Sequence, residues 1–145
     1  MTAFRRAMTR DNGASLIEFA LILPLLIILL LGIVEFGWVF GQYNDVKHGA
    51  REGARIAAVN QGNESFLVTY ACDSMDLTSP AEVSFSDSTN GQIGETATVS
   101  VVATPDSLSG FGLIEVFLPS TLTSTIDFRL EQDSTAWTSI GLTGC

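Results

Sequence analysis

The stretch that decides the fold is DNGASLIEFALILPLLIILLLGIV, residues 11–34. From Ala14 to Val34 it is apolar, with one ionisable interruption, Glu18, and one proline, Pro24. As an α-helix at 1.5 Å per residue, those residues span roughly 32 Å, the thickness of a bilayer core. A secretory signal has a shorter apolar stretch, roughly 7–15 residues, ending in a small-residue cleavage site. Here the run is longer, and EFGWVFG follows at 35–41 with no such pattern. A helix apolar on every side needs burial all round. The roughly 110 residues left after it are too few to wrap it. The stretch therefore reads as a transmembrane helix.

Charge orients it. Arg5, Arg6 and Arg10 precede the run; Lys47, Arg51 and Arg55 follow it at a distance, and only Arg129 lies beyond. Arg10 is close to the apolar start, whereas the first ionisable residues after the span are acidic, Glu35 and Asp45. Basic residues near a span mark its cytoplasmic end. The N-terminus is expected inside and the C-terminus outside, with Phe36, Trp38, Phe40 and Tyr43 as an aromatic belt at the outer interface.

The whole chain has a formal net charge of −9. Its acidic, Ser/Thr-rich exterior lacks the basic patch that phosphate neutralisation requires, which excludes nucleic acid as a partner. It suits a surface outside the cytoplasm. The two cysteines, Cys72 and Cys145, are either unrelated thiols or a disulfide, which an oxidising exterior permits. A bridge would close a loop of about 70 residues, worth on the order of 4 kcal/mol in the chain-entropy view.

Glu18 needs a physical reason, because a carboxylate in a membrane helix costs a few kcal/mol at mid-depth and less near an end. One reading has it snorkelling at the headgroup level. The other has the chain cut after Gly13, with the new ammonium of Ala14 neutralising Glu18 of a neighbouring subunit. In low dielectric such a pair fixes register, since either charge left alone is costly.

The motifs here carry a resemblance. GASLIEF, the LPLL around Pro24, GIVEFG at 32–37 and AREGAR at 50–55 resemble the TadE-like family, minor pilins or pseudopilins of tight-adherence, Flp-type pilus systems. The likeness is specific over about residues 9–59 and general beyond. It implies that a membrane prepilin peptidase cuts between Gly13 and Ala14. Glu18 then stands at position +5, followed by Phe19. Ala14 in place of the phenylalanine of many type IV pilins favours the tight-adherence branch. The resemblance also implies a major pilin, a companion minor pilin, an inner-membrane assembly platform and the lipid bilayer as partners.

After the membrane the pattern stays helical to about Val59. Val46, Ala50, Ala54, Ala57 and Ala58 give a shallow small-residue face, and Gly49 and Gly53 share the small-xxx-small spacing that lets helices approach closely. Glu52 and Arg55 are spaced to pair. Asn60–Asn63 reads as a break, residues 64–72 as a short helix or strand, and Pro80 as a boundary. Glu82–Ser86, Glu95–Thr104 and Thr121–Glu131 alternate like strands, with a turn at 87–94 containing Asn90-Gly91. Pro105–Pro119 reads as a loop whose apolar run, 111–118, is either core packing or a subunit contact.

The expected fold class is α+β: a long N-terminal transmembrane helix and stem carrying a small antiparallel sheet head, pilin-like. The divisions are a basic leader at 1–13, the membrane helix and interface belt at 14–43, a helical stem at 44–60 and a β-rich extracytoplasmic head at 61–145. No catalytic constellation, phosphate loop, cofactor motif or metal-ligand cluster is present in the sequence. His48 beside Lys47 and Arg51 reads as a solvated helix residue. The scattered acids Asp73, Asp76, Asp87 and Asp106 lack EF-hand spacing. The expectation is a non-enzymatic component of a pilus, in the bacterial inner membrane or, after assembly, on the surface. The alternative is an unprocessed single-pass membrane-anchored scaffold or binding protein.

Overall fold

The computed structural model describes residues 11–59, 64–78, 81–87, 91–108, 118–132 and 142–143. Two compact units divide the chain, residues 1–34 and 35–145.

The first unit is the apolar part of α1 (Asp11–Val59). From Gly13 to Leu30 every residue is exposed. None of the apolar window of α1 is buried among the described residues. Its length and composition fit a membrane anchor. Pro24 lies inside the helix without ending it. Proline removes one backbone donor, a defect that membrane helices tolerate.

The second unit begins at Glu35 and contains the rest of α1, α2 (Glu64–Asp73) and the strands β1 (Ala81–Asp87), β2 (Thr96–Ala103), β3 (Leu122–Arg129) and β4 (Leu142–Thr143). The sheet is antiparallel, in the order β3-β2-β1-β4. The three strands expected from alternation are all present. The fourth is a two-residue edge strand, Leu142 opposite Val83 and Thr143 opposite Glu82. Two residues carry no alternation to read, so only pairing reveals it. The segment at 64–72 resolves as helix.

Period-2 burial builds the sheet's inner face. Ala97, Val99, Val101 and Ala103 of β2 are buried while Thr98, Ser100 and Val102 between them are half-buried. Val83 and Phe85 of β1, and Leu122 of β3, join them. Over this face lies the small-residue stripe of α1: Val46, Ala50, Ala54 and Ala57, all buried, with Leu67, Val68 and Ala71 of α2 completing the core. The stem face expected from the sequence therefore packs its own head.

The glycines set the spacing. At Gly53 a Cβ would stand 3.3 Å from Ala71 Cβ, 3.5 Å from Phe85 and 3.7 Å from Val99, so α1 touches both α2 and the sheet there. At Gly49 a Cβ would stand 2.6 Å from Met75, closer than a real side chain tolerates. Small residues allow this approach, as their spacing anticipated.

Turns and ends are satisfied locally. Of the expected turn at 87–94, residues 88–90 lie outside the described set. Gly91 and Gly94 have positive φ, 64° and 88°, which glycine adopts without steric penalty. Gly94 N–H donates to Leu130 C=O at 2.8 Å, and Leu130 N–H to Glu95 C=O at 2.9 Å, closing the turn onto the end of β3. Glu131 N–H donates to Ala58 C=O at 3.0 Å, satisfying one of the carbonyls left over at the C-terminal end of α1. The expected break at 60–63, Pro80 and most of the apolar run 111–118 lie outside the described residues; Leu118 is half-buried against the core.

Candidate functional site

The sites expected from sequence fall in two places. Gly13, Ala14, Glu18 and Phe19 lie on the exposed start of α1, and Phe19 keeps 59% of its surface. Ala14 and Glu18 are one turn apart on the same side of the helix, the i,i+4 relation. Among the described residues none comes within 4 Å of where a Cβ on Gly13 would stand. Cys72 sits near the end of α2, half-buried against the core and not a free thiol. Cys145 lies outside the described residues.

What the sequence reading missed is a set of polar clasps along the buried side of α1. Glu35 and Gln42 lie on the same stripe as Val39 and Val46, and both are buried, at 1% and 0% exposure. A buried polar group must find partners. Glu35 Oε1 accepts the Leu108 N–H at 2.9 Å. Gln42 makes a reciprocal pair with the Asp106 backbone: its Nε2 donates to Asp106 C=O at 2.8 Å, and its Oε1 accepts Asp106 N–H at 2.9 Å. Together they hold the segment after β2 against α1.

Asp45 does the same for the segment after α2. Its carboxylate accepts the backbone N–H groups of Asp76, Leu77 and Thr78 at 3.1, 2.8 and 3.1 Å, and the Thr78 hydroxyl at 3.0 Å. Burial pushes this carboxyl up. The hydrogen bonds from Leu77, Asp76 and Thr78 outweigh it and hold the group below the usual aspartate range. For Glu35 and Gln42 the readable signal was the period, since residues 35, 39, 42, 46, 50 and 53 make one buried helical stripe; Asp45 lies off it.

The polar side chains Glu52, Arg55 and His48 of the stem lie at the surface. Glu52 and Arg55 pair as expected, at 2.9 Å on the surface. His48 is exposed, as expected. Among the described residues no three His, Cys, Asp or Glu side chains are placed to hold a metal ion. The geometry is that of a holding device, with backbone amides captured by helix side chains.

A long apolar helix leading into a stem, with α2 and an antiparallel sheet packed on that stem, is an α+β, pilin-like arrangement. A family model described as TadE-like protein matches residues 13–55, within the stretch on which the motifs carried the resemblance. The match runs along α1 from Gly13 to Arg55 and includes Glu18, Glu35, Gln42, Asp45, Gly49 and Gly53. No curated protein and no solved structure matches the chain.

Proposed function

We propose that this protein is a minor pilin or pseudopilin of a tight-adherence pilus, processed by a prepilin peptidase between Gly13 and Ala14. It takes part in pilus assembly and surface adhesion. The observation that carries the reading is the TadE-like match over 13–55, which spans both the apolar membrane helix and the stem clasped to the head. That match associates the chain with pilus components in general. The particular partners proposed are the peptidase, a major pilin, a companion minor pilin and the inner-membrane assembly platform.

In this reading α1 crosses the inner membrane with its N-terminus in the cytoplasm and the head outside. Glu18 neutralises the Ala14 ammonium of an adjacent subunit. Cys72 and Cys145 bridge and tie the C-terminal end of the chain to α2. A thiol assay on denatured, unreduced protein is expected to find no free thiol, and one that finds two removes the bridge from the reading.

The test of the whole is the N-terminal residue of the protein purified from its own cells. Ala14 is the expected result. An intact N-terminus on all of the protein would refute processing and leave the anchored scaffold in its place.

A further inference from the structure

From Glu35 onward α1 has two unlike sides. Phe36, Phe40, Tyr43, Lys47 and Arg51 stand within about 80° of one another round the helix axis. Phe40 is 64% exposed, and with Tyr43 it lines an open apolar groove whose far wall is Pro119 and Leu122. Lys47 Nζ sits 5.2 Å from the centre of the Tyr43 ring, and Arg51 is exposed. Beyond residue 34 the sequence has four Lys or Arg residues, Lys47, Arg51, Arg55 and Arg129. Arg55 is taken by Glu52 and Arg129 by the Gly94 carbonyl. Among the described residues neither Lys47 nor Arg51 is in an ion pair, so this side of α1 carries the head's uncommitted positive charge.

The other side is acidic. Gly41, Asp45 and Gly49 stand roughly 120–160° round the axis from Lys47. The segment after α2 lies over them: Asp45 accepts the N–H groups of Asp76, Leu77 and Thr78, Gly41 faces Leu77 and Gly49 faces Met75. Asp73, Asp76 and Leu77 stand out of it, all exposed, Leu77 by 43%. Among the described residues neither aspartate side chain is in an ion pair.

The two sides agree in level as well as in sign. The approaches of Gly53 to Ala71, Gly49 to Met75 and Gly41 to Leu77 show that residues 71–77 run back along α1 from the level of residue 53 to that of residue 41. Asp73 is therefore level with residues 49–53, and Asp76 with residues 41–49. On the opposite side of the helix, Arg51, Lys47 and Phe40 stand at those same levels. Two copies side by side, with α1 running the same way, bring Arg51 to Asp73, Lys47 to Asp76 and Phe40 to Leu77 with no shift along the axis. Reversing one copy would set Phe40 against Asp73 and Arg51 against Leu77.

We propose that this chain docks on a second copy of itself, the aromatic and basic side of one α1 against the acidic 73–78 segment of the next. Leu77 then covers the groove beside Phe40. The contact uses a different surface on each copy, so it repeats and sets copies in a row. Opposite charge steers the two faces together and penalises like faces. Processing at Gly13 and the pairing of Glu18 do not enter, so the N-terminal residue tests the proposed function without testing this contact.

The experiment uses the full chain in phosphatidylcholine vesicles, unlabelled and nitrogen-15 protein in equal parts, with benzoylphenylalanine in place of Phe40. After irradiation the adducts are mapped by mass spectrometry, and the isotope pair marks those formed between copies. A between-copy adduct on the 73–78 peptide is expected, with a yield that falls as salt screens the charges. Lys47→Glu with Arg51→Glu is expected to lower that yield about tenfold, and so is Asp73→Lys with Asp76→Lys. None of the four positions is buried. Mixing the two reversed proteins is expected to restore the yield to within about twofold of wild type, because each supplies the face the other lacks. Misfolding of either would not give that rescue.

Adducts to lipid alone, between-copy adducts that avoid 73–78, or a yield unmoved by both reversals would each overturn the contact. So would position-40 adducts to a different protein, with none to a second copy, in the protein's own cells.

Discussion

Asp45 carries more of the head than its partial exposure suggests. One carboxylate satisfies three successive backbone N–H groups and a hydroxyl. An asparagine in its place would offer one acceptor oxygen, and its amide would point a donor at other donors. Asp45→Asn is therefore expected to destabilise the head by about 1–3 kcal/mol at neutral pH, the penalty for unsatisfied amides. The acid side follows from linkage. The native carboxyl titrates below its unfolded value, so its stabilisation is complete above the unfolded pKa and is lost as pH falls through the native one. The gap between wild type and Asp45→Asn should narrow from about pH 5 downward. Denaturant melts of both proteins across that range check it, and a gap constant with pH would reject the assignment. Glu35 and Gln42 act by the same physics on the segment at 106–108. None of their partners could be foreseen, because they are backbone groups far along the chain.

At the scale of elements, the glycines of α1 are not equivalent. Among the described residues a Cβ at Gly41 would meet only Leu77 Cδ1 at 3.8 Å, ordinary contact. Gly41→Ala is expected to stabilise by roughly 0.5–1 kcal/mol through helix propensity. At Gly49 the same methyl would stand 2.6 Å from Met75 Cγ and Sδ and 3.2 Å from the Ala71 carbonyl oxygen. Overpacking of that kind costs about 1–3 kcal/mol and outweighs the propensity gain. Thermal melts of the two alanine variants should move in opposite directions; a stabilised Gly49→Ala would mean that Met75 yields freely. The sequence did expose this face, since the spacing of small residues survives without coordinates. It left open whether the head or a neighbouring subunit would fill it. That depended on where residues 64–73 fold back, and short-range periodicity does not encode a long-range contact.

At the scale of the molecule, the two units divide the labour. Residues 14–34 bring no buried contact of their own, and α1 from Glu35 onward is built into the head. Assembly in the proposed function then turns on Glu18. Glu18→Ala should still be cut after Gly13, because the cleavage position is unchanged. It should lose assembly, because the neighbour's ammonium would face low dielectric alone. Sequencing of the N-terminus together with a pilus preparation tests both halves. Normal assembly by this variant would remove the pairing and leave Glu18 as a residue at the membrane edge.

The sequence by itself determined the membrane-length helix, its continuation as a stem, the small-residue face and the three longer strands. Each of these is a periodic pattern of hydrophobicity or size, and the backbone geometry of a helix or strand converts such a pattern directly into a face. Only the tertiary structure decided that the stem's small face packs its own head, that Glu35, Gln42 and Asp45 point at loop amides, and that Leu142–Thr143 pairs with β1. It also opened a groove between α1 and β3. These features depend on which distant backbone arrives beside a given side chain, and that is fixed by the packing of the whole core rather than by any local pattern.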